Sequence, residues 1–134
     1  MSDENRYPEA LPEGFWELIE LGRRNPDQFR SRVKAMTREE LIDFYWGYEN
    51  AAAEVKDDPF VEHMLPDLSE DGIDDVALWL VGQGKERYEN VLQNPALTPP
   101  DVPDDDDSPE IVEVVVKEYY DRYHDSIPFP DDHT

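Results

Sequence analysis

Apolar residues recur along this chain at intervals of three and four, seldom at two. Phe15, Leu18, Ile19 and Gly22 form one such stripe, and Phe29, Val33 and Met36 form a second. Leu41, Tyr45, Tyr48, Ala52 and Val55 form a third, which Phe44 and Trp46 widen. A period near 3.6 residues is that of an amphipathic helix with one face turned to a core. The punctuation agrees. Pro12 and Glu13 suit a helix start, and Asn25-Pro26 ends that helix and caps the next. Thr37 and Glu40 have capping-box spacing and predict a long third helix from about Arg38 to Lys56. Asp58-Pro59 opens a short helix through Phe60, Val61, Met64 and Leu65, which Pro66 stops.

The stretch from Ser69 to Pro95 has the most definite pattern. An acidic entry, capped by Ser69 or Asp71, leads into six apolar residues, Val76 to Val81. Gly82 and Gly84 break the run, and Tyr88, Val91 and Leu92 mark one face of a second helix. This predicts a buried helix, a tight turn and a half-exposed helix. Residues 98–109 hold several prolines and four consecutive aspartates and read as a flexible acidic loop. Beyond it, Ile111 to Val116 has high strand propensity. Yet Val112, Val115, Val116, Tyr119 and Tyr123 keep a helical stripe. A lone strand would leave both its edges unpaired, so residues 110–124 are expected to be helical. The expected fold is all-α: one small domain of five to seven helices over residues 13–126. An arm precedes it at 1–12, and a disordered tail follows at 127–134.

Composition narrows the chemistry. With 34 acids against 12 bases, the net charge of −22 opposes any general affinity for nucleic acid or anionic lipid. There is no cysteine, hence no disulfide framework and no thiolate chemistry. The N-terminal residues lack the apolar core of a signal peptide, and no apolar run is long enough to span a membrane. A cytoplasmic location is the expectation.

The charge is blocky. Arg23, Arg24, Arg30, Arg32, Lys34 and Arg38 cluster with a single acid, Asp27. The segment 57–75 carries Asp57, Asp58, Glu62, Asp67, Glu70, Asp71, Asp74 and Asp75 with no Lys or Arg. A second acidic block includes Asp104, Asp105, Asp106 and Asp107. Charged blocks of this kind suit a basic protein partner, whose approach they would steer.

Catalytic and metal motifs are weak. Set against a calcium loop, Asp67, Ser69, Asp71, Gly72 and Asp75 fall at positions 1, 3, 5, 6 and 9, but Leu78 stands where a bidentate Glu is required. His63, His124 and His133 lack ligand spacing. Ser69 lies in no nucleophile elbow, and Gly82-Gln83-Gly84 is neither a phosphate loop nor a dinucleotide turn. Trp16, Trp46 and Trp79 read as core. No catalytic residue, metal or cofactor is expected.

The pieces also resemble a known family. Phe15-Trp16 opens the domain, and a capped helix through Leu41, Ile42 and Phe44 follows. Then come Ser69, Asp71, Gly72 and Ile73, the Trp79-Leu80-Val81 segment, Gly84 leading to Tyr88-Glu89, and Asn94-Pro95. In this order they resemble the bacterial domain of unknown function 4240 over roughly residues 14–124. The resemblance implies a small all-helical domain and transfers no catalytic residue. Ile73 in place of an aromatic, and the Asp/Pro insertion at 99–109, depart from the pattern.

The leading functional expectation is a non-enzymatic module of the immunity, inhibitor or regulatory type that meets a basic surface. The alternatives are a ligand-binding protein or enzyme with a pocket near Asp71, Trp79 and Tyr88, and an acidic DNA mimic.

Overall fold

The helical periods of the sequence are realised as six α-helices, and no strand occurs among the described residues. The structure, a computed structural model, describes residues 11–12, 14–103 and 111–128. The helices are α1 (Phe15–Arg24), α2 (Pro26–Lys34), α3 (Arg38–Ala53), α4 (Glu70–Val81), α5 (Lys85–Gln93) and α6 (Ile111–Tyr123). By their contacts, the described residues fall into two units, 11–48 with 111–128, and 49–103, and the boundary lies within α3.

In the first unit, the caps are those the sequence announces. The Asn25 side chain accepts from the Gln28 N–H at 3.2 Å, with Pro26 at the start of α2. Thr37 and Glu40 form the reciprocal capping box, at 3.1 Å and 2.9 Å. Phe15, Ile19, Phe29, Val33, Leu41, Phe44 and Tyr48 are buried, as are Ile111, Val112, Val115 and Tyr119 of α6. The Phe15 and Phe44 rings stand 5.2 Å apart. Gly22 admits Ile111: a Cβ there would lie 3.0 Å from its side chain. The segment 111–116 is helical: Val112 and Val115 pack on one stripe with Tyr119, while Val116 and Tyr123, expected on that stripe, are exposed, and no partner strand exists among the described residues.

In the second unit, Ser69 caps α4 by accepting from the Gly72 N–H at 3.1 Å. Val76, Ala77, Leu80, Val81, Tyr88 and Val91 are buried, with Ala51, Ala52, Val55, Phe60 and Met64. Gly84 sits at φ 107° and starts α5, a backbone conformation an L side chain rarely adopts.

Some expectations change. The short helix expected from Asp58 to Leu65 is a turn followed by one 3₁₀ turn, Val61–His63. Two prolines bracket too few residues there for a sustained α-helix. The third helix ends at Ala53, and Val55 and Lys56 close it with i to i−3 bonds. The tryptophans are half-buried, not core. An indole carries a donor that needs an outlet, and Trp46 Nε1 donates to the Pro128 carbonyl at 2.6 Å. That bond also ties down the beginning of the tail expected from residue 127. The arm up to residue 10, residues 104–109 of the loop and the tail beyond 128 lie outside the described residues.

Candidate functional site

The acids of 57–75 belong to the second unit, where two turns and a helix entry display them. Glu70 and Asp71 occupy the first turn of α4, near the positive end of its dipole. Asp74 and Asp75 follow within the next turn. Asp57 and Asp58 lie in the turn after α3, Glu62 in the 3₁₀ turn, and Asp67 before the Ser69 cap. Leu68 tucks under Gly72, where a Cβ would come within 2.7 Å of its side chain. This close approach fixes the chain on entry to α4.

Two of these eight carboxylates have a basic neighbour among the described residues. Lys56 Nζ meets Asp74 at 3.0 Å, and His63 Nε2 lies 3.5 Å from Glu62. Asp57, Asp58, Asp67, Glu70, Asp71 and Asp75 are exposed and have no ion-pair partner among the described residues. Nor do any three His, Asp or Glu side chains among those residues converge to hold a metal ion. The arrangement is a spread acidic surface, not a chelating cluster. Asp104, Asp105, Asp106 and Asp107 lie outside the described residues.

The pocket residues Asp71, Trp79 and Tyr88 have separate settings. Tyr88 is fully buried, and its hydroxyl donates to the Ala51 carbonyl at 2.7 Å. Asp71 is exposed and stands eight residues before Trp79, a rise of about 12 Å along α4. Trp79 is half-buried under the Arg87 guanidinium, 5.2 Å from the ring centre. Its indole N–H is buried and has no hydrogen-bond partner among the described residues. The cation over the ring offsets part of that cost.

The basic segment is organised differently. Arg23 pairs with Glu20 at 3.3 Å and Arg30 with Asp27 at 3.1 Å. Arg38 Nε donates to the Tyr119 hydroxyl at 3.1 Å, and its guanidinium lies 5.8 Å from the Tyr119 and Tyr123 rings. Arg122, unremarked in the sequence pattern, closes the end of α2. It donates to the carbonyls of Lys34 at 2.9 Å, Met36 at 2.8 Å and Val33 at 3.3 Å. Its Nε meets Glu118 at 2.7 Å. A cation at a helix C-terminus satisfies orphan carbonyls and opposes the dipole. The Glu118 hydrogen bond holds the Arg122 pKa above its ordinary value, while burial pulls the other way.

The sequence pattern also leaves a cleft in the first unit unannounced. It encloses about 510 Å³ and is lined by Pro12, Phe15, Leu18, Arg32, Ala35, Met36, Glu40, Asp43 and Phe44.

Fold and site together define a small all-helical protein with exposed acids along 57–75, in which no assembled metal-ligand set occurs among the described residues. The model of a protein family of unknown function, DUF4240, matches residues 12–122, and the chain belongs to that family. No curated protein and no solved structure matches it. No helix among the described residues is long and apolar enough to cross a membrane.

Proposed function

We propose that this DUF4240 protein works by protein–protein contact, meeting a basic surface with the carboxylates of 57–75. One observation carries the reading: six of those eight carboxylates are exposed without a basic neighbour among the described residues. Mutual repulsion among crowded like charges disfavours the folded state, and a basic partner relieves it on binding. The caps and the Leu68–Gly72 contact hold part of this face in place before any encounter, which lowers the ordering cost of association. The role fits an inhibitor, immunity or regulatory protein and requires no catalytic group.

The test is affinity capture from an extract of the native host at low and high salt. A variant carrying Asp57→Asn, Asp58→Asn, Glu70→Gln, Asp71→Asn and Asp75→Asn is compared with wild type and with a charge-preserving Asp-to-Glu control. Wild type and control should retain a basic protein at low salt and release it at high salt, and the neutralised variant should not retain it. Equal capture by all three proteins at both salts would refute the proposal.

A further inference from the structure

The cleft in the unit formed by 11–48 and 111–128 has a chemistry of its own. The walls are Phe15 and Leu18 from α1, Arg32 from α2 with Ala35 and Met36 from the turn after it, and Glu40, Asp43 and Phe44 from α3. Pro12 closes one side, and Gly47 lets it approach, since a Cβ there would lie 2.8 Å from the proline ring. The floor is apolar, with Phe15 and Phe44 buried and Leu18 and Met36 half-buried. The rim is charged: Arg32, Glu40 and Asp43 are exposed. A volume of about 510 Å³ lies within the range of small-ligand sites, roughly 300–1,000 Å³.

The rim charges are not equivalent. Glu40 is engaged in the capping box, where it accepts from the Thr37 N–H. Arg32 and Asp43 form no ion pair among the described residues. A planar guanidinium suits a carboxylate, and a carboxylate suits an ammonium. With an apolar floor between, the complementary ligand has an anion, a cation and apolar side chains in one short molecule.

We propose that this cleft binds a short zwitterionic peptide, a di- or tripeptide with apolar side chains. Arg32 takes the terminal carboxylate and Asp43 the terminal ammonium. The side chains lie against Leu18, Met36 and the edge of Phe44. Two or three residues fill the volume better than a single amino acid does. None of its lining residues belongs to 57–75.

The experiment is a titration of the full chain with leucyl-leucine, followed by the NMR shift of the Met36 methyl group. N-acetyl-leucyl-leucine and leucyl-leucine amide each remove one terminal charge. Leucyl-leucine should move the Met36 methyl in a saturable way, and each blocked peptide should bind about ten-fold more weakly. Asp43→Asn should weaken leucyl-leucine by a similar factor and leave the N-acetyl peptide unchanged, and Arg32→Gln should do the same for the amide. Both substitutions are at exposed positions, and the unperturbed remainder of each spectrum reports folding. An unmoved Met36 methyl, equal affinity for blocked and free peptides, or loss of affinity that ignores which terminus is blocked would each overturn the proposal.

Discussion

Arg122 and Asp71 each carry one charge, and their surroundings could hardly differ more. Arg122 reaches three carbonyls and a carboxylate, so its charge is satisfied within the chain. Asp71 is exposed and has no ion-pair partner among the described residues. The same contrast holds for their neighbourhoods. Among residues 11–48 and 111–128, Arg23, Arg30, Arg38 and Arg122 engage acids, hydroxyls or carbonyls, whereas the exposed Arg24, Arg32, Lys34 and Asp43 form no ion pair among the described residues. Among residues 57–75, most carboxylates face solvent. The half-buried Arg122 charge contributes to folding. The exposed charge of 57–75 contributes little beyond the first turn of α4, and is therefore open to another role.

Arg122→Ala strikes the first region hardest. It leaves the end of α2 uncapped and Glu118 unpaired, so stability should fall by about 2–3 kcal/mol in a denaturant melt. Arg122→Lys keeps the charge without the fork and should lose roughly half of that. The sign with pH is fixed: a raised pKa makes this contribution fully present below the unfolded value and lost only in strong alkali. Unfolding midpoints at neutral and mildly alkaline pH should therefore show the same Arg122→Ala deficit.

The next effect is smaller and compares two aromatic residues of one region. Tyr88→Phe removes a buried hydroxyl and strands the Ala51 carbonyl, for about 1–2 kcal/mol. Trp79→Phe removes an N–H that has no partner among the described residues, and should change stability by no more than about 0.5 kcal/mol beyond its loss of ring area. Equal losses on denaturant melts would mean that Trp79 Nε1 is satisfied.

The smallest effects belong to the exposed acids. Neutralising Asp57, Asp58, Asp67 and Asp75 should leave the thermal midpoint unchanged or slightly raised, most visibly at low salt, while neutralising Glu70 and Asp71 in the first turn of α4 should lower it slightly. A marked fall in the midpoint would place those charges in the folding account. Replacing Asp104, Asp105, Asp106 and Asp107 by Asn should likewise shift the midpoint by no more than a few degrees.

Much of the fold is readable from local signals. The stripes through Phe15, Phe29 and Val112, the Asn25 and Ser69 caps and the Thr37–Glu40 box each act within a few residues, so pattern alone places α1 to α6. What is not readable depends on distance along the chain. Arg122 meets carbonyls 86 to 89 residues away, and no local pattern marks it. The cleft is similar: Arg32 and Asp43 look like solvated positions until α1, α2 and α3 are brought together. Tyr88, expected near a pocket with Asp71 and Trp79, is buried with its hydroxyl on the Ala51 carbonyl instead, a contact 37 residues away along the chain. The apolar area of the tryptophans suggests core, but all three are half-buried: Trp46 sends its N–H to Pro128, while the Trp79 N–H is buried under the Arg87 guanidinium.

The contrast between the two charged regions can be measured in a single complex. Hydrogen–deuterium exchange on the protein bound to its captured basic partner reports which amides become protected. The account predicts slowed exchange across 57–75, and little change across Arg23 to Arg38. Protection confined to Arg23–Arg38, with 57–75 exchanging as in the free protein, would contradict it.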